Sequence, residues 1–311
     1  MRDAFIKGLS ALAEADERIV LLTGDLGFKI FDDFARRFPG RFVNAGVAEP
    51  NMIGVAAGLA LDGFRPFAYS IAPFATLRCF EQIRNDICHH NLPVTVVGVG
   101  GGYSYGTNGP THHALEDIGA MRTLPNITVL CPGDPVEAEL SMRAIGSYTG
   151  PVYLRLGRAG DPVVHRDPPD FRIGRAITIQ QGTDCTLIST GGILPVVVEA
   201  SRRLREHSVR ARVVSMHTVK PLDSATLEEC CTGGGPVFTI EEHGPAGGLG
   251  SAIGEWLVER QISCRLISIT TREQFAHRSG SQSFLRAEEG LSGQQIAERI
   301  LATMERCFAD R

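Results

Sequence analysis

Apolar runs of strand length alternate with segments of helical period almost from end to end of the chain. That alternation builds parallel sheets covered by helices on both faces, so the expected fold is α/β, with two doubly wound domains. In the first half the predicted strands are Arg18–Thr23, Pro66–Ser70, Pro93–Val99, Ile127–Cys131 and Val152–Leu156. The stretches between them carry helical spacing, as in Ala4, Leu9, Leu12 and Ala13. Around 157–175 the periodicity lapses into a segment holding Pro162, Pro168 and Pro169, the composition of a linker over the surface. The second half reads as strand Cys185–Ser189, helix Leu194–His207, strands Ala211–Ser215 and Val237–Glu241, helix Gly248–Glu259, strand Cys264–Ile269 and helix Gly293–Cys307. Domains are therefore expected over 1–165 and 176–311.

Composition agrees with that reading and removes several classes of function. The 311 residues suit two domains, and 43% hydrophobic residues suffice for ordinary cores. With 35 acidic against 31 basic side chains the net charge is −4, so no global positive field draws nucleic acid or an anionic membrane. Any phosphate must be bound locally. No apolar run reaches the roughly 18 residues of a spanning helix, and the charged start of the chain is unlike a signal peptide, so a cytoplasmic location is expected. The eight cysteines form no CxxC pair and sit mostly in apolar runs, as reduced core residues do.

The many glycines invite false nucleotide-binding matches. Gly100-Gly-Gly-Tyr-Ser-Tyr-Gly106 lacks the third glycine of GxGxxG, and Gly248-Leu-Gly250-Ser-Ala-Ile253 has isoleucine in its place. GxxxxGK[ST], HExxH and GxSxG are absent. The pairs His89-His90 and His112-His113 are adjacent rather than one helical turn apart, and no metal site is expected on this chain.

Two segments carry more polar chemistry than a core needs. In Asn44-Ala-Gly-Val-Ala-Glu49-Pro-Asn-Met-Ile-Gly54 one carboxylate enters a small, apolar helix, where desolvation raises a carboxyl pKa into the range useful for acid/base work. A first-turn glutamate favoured by the helix dipole accounts for it equally well. The second segment, Gly100 to His113, is a glycine-rich loop leaving the C-terminal end of a strand, where open α/β sheets bind ligands. Its histidines can exchange protons with a substrate, or the segment is a surface loop with Thr111 as a helix N-cap.

Taken in order, Arg2-Asp-Ala, Thr23-Gly-Asp25-Leu, Gly46-Val-Ala-Glu49, Phe80-Glu-Gln-Ile-Arg84, Gly109-Pro-Thr-His112-His, Leu124-Pro-Asn126 and Gly157-Arg158 resemble the pyrimidine-binding domain of transketolases. Thr218-Val-Lys220-Pro-Leu-Asp223, Glu241-Glu-His243 and Gly247-Gly-Leu-Gly250 are similar to the C-terminal domain of the same thiamine-diphosphate superfamily. The GDG…N motif that binds the diphosphate and its metal is missing, so the chain resembles the C-terminal subunit of a split, two-component transketolase.

The resemblance implies a transferase that moves a two-carbon ketol unit from a ketose to an aldose. It implies an N-terminal partner subunit carrying GDG…N, which holds thiamine diphosphate with Mg2+ or Ca2+, and an α2β2 heterotetramer. Within it, Glu49 is the residue that hydrogen-bonds and activates the aminopyrimidine, Phe74 the aromatic that stacks on it, and Asp25 a contact to cofactor or partner. His112 is implied to contact the donor near its C1 hydroxyl, and Asn108 replaces the aspartate that reads the acceptor's C2 hydroxyl. Arg2 and Arg158 match the arginines that clamp a sugar phosphate, while Lys29 stands for a serine and Gly100 for a phosphate-binding histidine. His243 is expected at a subunit contact, and His89, His90, His207 and His277 in surface or packing roles. The competing expectations are the β subunit of a 2-oxo acid dehydrogenase and a non-catalytic assembly subunit.

Overall fold

A computed structural model describes residues 1–27 and 29–309; residues 310 and 311 of the second predicted domain, and the side chain of Cys307, lie outside the described residues. The strands are β1 (Ile19–Thr23), β2 (Phe42–Asn44), β3 (Arg65–Ile71), β4 (Thr95–Val99), β5 (Thr128–Leu130), β6 (Val152–Leu156), β7 (Ile177–Gln180), β8 (Cys185–Thr190), β9 (Ala211–Ser215), β10 (Thr218–Lys220), β11 (Val237–Glu241) and β12 (Leu266–Ile269). They form a seven-stranded sheet ordered β10-β5-β6-β4-β3-β1-β2 and a five-stranded sheet ordered β12-β11-β8-β9-β7. Pairing is parallel except at one edge of each sheet, where β10 runs antiparallel to β5 and β7 antiparallel to β9. Strands β1, β4, β6, β8 and β11 are buried along their whole length, which is why their sequences read as continuous apolar runs.

The second half of the chain lends β10 to the first sheet, where Thr218 pairs with Leu130. One apolar cluster runs through both halves, joining Val20, Ile53, Val96 and Met121 to Ile188, Val214, Met216 and Ile253. Arg155 of β6 completes the junction from within. Its guanidinium holds Asp117 (Nε to Oδ2, 2.7 Å) and donates to the carbonyls of Ala114 and Glu242 at 2.8 and 3.1 Å. Burial alone raises the Asp117 pKa, but the charge and hydrogen bonding of Arg155, with His243 and the Tyr153 hydroxyl, together outweigh it and the net shift is downward.

His243 departs from the sequence expectation. It is fully buried between the two halves of its own chain, where Nδ1 bonds to the Gly244 carbonyl at 2.9 Å and Nε2 accepts from the Gly119 amide at 3.2 Å. The segment that reads as a surface linker is also pinned inward. Asp134 caps the helix Pro135–Gly146 by accepting from the Glu137 amide, and its other oxygen accepts from the amides of Val164 and His165. His165 Nε2 meets the buried Glu137 carboxylate at 2.8 Å. Proline content alone does not reveal such an anchor.

The glycines near Gly248 have an internal explanation. The helix Leu249–Arg260 presents its first amides to the Glu241 carboxylate, with Leu249 N at 2.7 Å and Gly250 N at 2.8 Å. A Cβ on Gly248 would lie 2.2 Å from that carboxylate. The helix N-terminus is thus filled by the protein's own anion.

Candidate active site

Glu49 opens the helix Glu49–Leu61 and is 2% exposed. The bend that leads into this helix is braced by Asn44, which accepts from the amides of Asp25 and Gly46 and donates to Asp25 Oδ1 at 2.9 Å. Asp25 itself has φ 55°, a left-handed turn conformation that aspartate tolerates. A Cβ on Gly24 would be 3.3 Å from the Glu49 side chain, so this turn packs closely on the carboxylate.

The surroundings of Glu49 are less apolar than the sequence implies. Ser70 Oγ donates to one carboxylate oxygen at 3.3 Å, and Arg78 Nη1 donates to the other at 3.2 Å. Arg78 is itself 49% exposed and places its guanidinium 4.8 Å from the centre of the Phe74 ring. The Phe74 ring also meets the His112 ring, edge-on at 5.2 Å. The fold thus brings Glu49, Phe74 and His112 into one site, with Arg78 between the first two. Arg78 was not foreseen; its only signal in the sequence is a cation one helical turn after Phe74, in the same short segment.

His112 ends a short 3-10 turn, Pro110–His112, and its Nδ1 is 3.0 Å from Thr111 Oγ1. Thr111 therefore does not cap the following helix, Asp117–Arg122, whose N-cap position is Glu116. Asn108 is exposed on the preceding turn, beside Thr107. His113 is buried against Tyr103, and burial lowers its pKa against the opposing pull of the Gly106 carbonyl, so it is held neutral behind the loop.

A second cluster forms where the start of the chain meets the end of β6. The Met1 amino group reaches the Arg158 carbonyl at 3.3 Å and the Asp161 carboxylate at 3.0 Å, which ties the start of the chain to the segment after β6. Arg2 Nε is buried with no hydrogen-bond partner among the described residues. Between these arginines and Gly100 stands Tyr105. Gly100 has φ 89°, and a Cβ there would lie 2.2 Å from the Tyr105 ring, so the tyrosine fills the space a side chain at 100 would need. Burial raises the Tyr105 pKa, and the charges of Arg2 and Arg158 pull against that rise. Lys29 is exposed in a left-handed turn, and no described contact ties it to this cluster. Among the described residues no group of three or more His, Cys, Asp or Glu is arranged to hold a metal ion, and no helix is long and apolar enough to cross a membrane.

Comparison with known proteins gives this geometry a family. The family model "Transketolase, pyrimidine binding domain" matches residues 1–160, and "Transketolase, C-terminal domain" matches residues 174–296. The chain belongs to the transketolase family. It is 35% identical to one subunit of the apulose-4-phosphate transketolase of Phocaeicola vulgatus, over 96% of each chain. It is 34% identical to a 6-deoxy-6-sulfo-D-fructose transketolase subunit of a Clostridium species, over 98% of this chain and 95% of that one. Among solved structures, a split-gene transketolase described as an inactive beta4 tetramer superposes with a TM-score of 0.90 at 36% identity, over 98% of both chains. This transketolase is accordingly the C-terminal subunit of a split enzyme, a transferase, and neither competing expectation is favoured.

Proposed function

We propose that this subunit forms the pyrimidine-facing wall and the sugar-binding loop of a thiamine-diphosphate-dependent ketol transfer, with an N-terminal subunit completing the site. The observation that carries the reading is the convergence of Glu49, Phe74 and His112 through contacts of 5.2 Å or less. The residues suit the cofactor. A buried carboxylate beside a half-buried aromatic ring, whose face already attracts a planar cation, fits a flat heterocycle with ring nitrogens. When bound, thiamine diphosphate supplies a nucleophilic carbon and an electron sink.

The chain's own residues then divide the work. Glu49 holds a proton at a ring nitrogen of the pyrimidine, and Phe74 fixes the ring plane. Arg78, half-exposed, would have to leave the Phe74 face for a heterocycle to stack there. His112 exchanges a proton with a hydroxyl of the donor ketose, and Asn108, which both donates and accepts, reads an acceptor hydroxyl. Arg2 and Arg158, whose charges both act on the Tyr105 phenol, bind an anionic sugar terminus; Lys29, exposed on the turn after β1, is grouped with them by the resemblance alone. The phosphorylated sugar in the name of the Phocaeicola relative supports that end of the reading. Asp25 contacts the cofactor or the partner from the turn beside Glu49.

The diphosphate, its Mg2+ or Ca2+ ion and the GDG…N motif are assigned to the partner, in an α2β2 heterotetramer acting in carbohydrate metabolism. Support for a covering partner comes from the helix Glu49–Leu61, which is apolar nearly all round. Val55 (38%) and Leu61 (66%) are exposed on it and Val47 (74%) just before it, although such helices belong in interiors.

The test is reconstitution with the co-purifying partner, thiamine diphosphate and Mg2+, using a ketose labelled in its first two carbons and a panel of phosphorylated aldoses. Label is expected in a lengthened sugar and not in carbon dioxide. Glu49→Gln is expected to reduce turnover by about 100-fold or more, the usual scale of a lost acid/base group; unchanged turnover would sink the catalytic role.

A further inference from the structure

The loop Gly100–Gly109, which carries Asn108 and leads to His112, belongs by sequence to the first half of the chain, yet it rests on the second half. The centre of that support is Glu242, the residue after β11, 3% exposed. Its Oε1 accepts from the Tyr103 amide at 3.0 Å. Gln282 Nε2 lies 3.1 and 3.2 Å from the two Glu242 oxygens and 3.2 Å from Ser104 Oγ, so one amide group ties the carboxylate to the next loop residue. Arg286 supplies the counter-charge, with Nη2 2.6 Å from Glu242 Oε2 and 3.0 Å from the Gly192 carbonyl.

The fit is tight enough to dictate loop sequence. Gly102 has φ 64°, and a Cβ on it would fall 2.5 Å from the Glu242 carboxyl carbon. A Cβ on Gly106 would fall 2.6 Å from both the Gly280 carbonyl and Leu285, and the Gly280 amide donates to the Gly106 carbonyl at 3.3 Å. Two of the loop's glycines thus record close approach to the second domain rather than to a ligand. Asn108 and His112 lie beyond these anchors, with no described bond to the second domain.

We propose that Glu242 is a positioning residue for sugar binding. Through Tyr103 directly and Ser104 by way of Gln282, it fixes the root of the glycine-rich loop and so the place at which Asn108 and His112 meet substrate. The inference rests on the reading of that loop as substrate-binding. It also gives the second domain a part in the site beyond assembly.

The test uses Gln282→Ala, which leaves the buried Glu242–Arg286 pair intact, with Glu242→Gln as the second variant, and two readouts. In the full chain, hydrogen exchange of the 100–113 segment is expected to speed up about tenfold while the melting temperature holds, because a local hold has been released. In the reconstituted enzyme, KM for the aldose that the panel turns over fastest is expected to rise about tenfold through the displaced Asn108, and kcat to fall several-fold through the displaced His112. Gln282→Asn is expected to recover part of both effects. Unchanged exchange in both variants, or exchange that rises evenly across the chain with a falling melting temperature, would overturn the positioning role. Faster loop exchange with unchanged KM would instead overturn the substrate role of the loop and leave Glu242's hold on it standing.

Discussion

Tyr105 and Gly100 show how one exchange of residues alters an anion site. A histidine at 100, expected from relatives, would contribute a donor to the sugar's charged end; glycine removes the donor and opens the space that the Tyr105 ring fills. The phenol restores one O–H within the field of the Arg2 and Arg158 charges, on a ring with two torsions rather than a flexible chain. A hydrogen bond to a charged group contributes about 1.5–3 kcal/mol, so Tyr105→Phe is expected to raise KM for an anionic sugar by about tenfold or more while kcat stays near wild type. An uncharged sugar of the same skeleton is expected to show no change. Equal losses for both sugars would move the hydroxyl away from the anionic terminus. Neither Tyr105 nor Arg78 is legible in the sequence as a site residue, because each acts through a neighbour brought up by the fold: the ring over Gly100, the guanidinium against Glu49. Glu49 and His112 are singled out in the sequence because each stands inside a motif whose order along the chain is itself informative, whereas Phe74 is singled out only by its place shortly before Phe80-Glu-Gln-Ile-Arg84.

At the scale of elements, buried strands announce themselves and most short edge strands do not, β12 being the edge strand that the pattern does reveal. The predicted Val152–Leu156, Ala211–Ser215 and Val237–Glu241 coincide with β6, β9 and β11, since strands buried on both faces are written as unbroken apolar runs. Strands β2, β7 and β10 go unread: they have three, four and three residues and lie at sheet edges, too short and too mixed for periodicity to separate from loop. The linker anchor escapes for a related reason, being two residues, Val164 and His165, within a proline-rich segment. Its chemistry gives a pH dependence. Burial lowers the His165 pKa, but the hydrogen bond and charge of Glu137 outweigh it and the net shift is upward; burial raises that of Glu137, but His165 and its other partners outweigh it and the net shift is downward. A raised histidine pKa contributes stability that is complete below the ordinary value near 6.5 and lost as pH rises through the folded value. A lowered glutamate pKa contributes stability present above about 4.5 and lost as pH falls through the folded value. The anchor is therefore strongest in mildly acidic solution. The melting temperature of wild type is expected to exceed that of His165→Gln by most near pH 6, with the gap narrowing towards pH 9; a gap that widens with pH would refute the ion pair.

At the scale of the whole molecule, the two halves share too much to unfold separately. Strand β10 hydrogen-bonds to the first sheet, one apolar cluster spans both halves, and Arg155 joins Asp117 to carbonyls on either side of the junction. Separating the halves would expose the shared cluster and leave Arg155 and Asp117, 4% and 0% exposed, without part of their hydrogen bonding. Unfolding by denaturant is therefore expected as a single transition, coincident by far-UV circular dichroism and by the fluorescence of Trp256, which lies in the second half at the shared cluster. Asp117→Ala provides the sharper measurement, because it leaves a buried guanidinium without its carboxylate. Breaking such a pair from one side costs about 3–5 kcal/mol, so the midpoint should fall steeply while the transition stays single. Two separated transitions in wild type would mean that the junction is weaker than its contacts imply. They would also weaken the case for Glu242, since a loop can be positioned from the second domain only if that domain is held rigidly against the first.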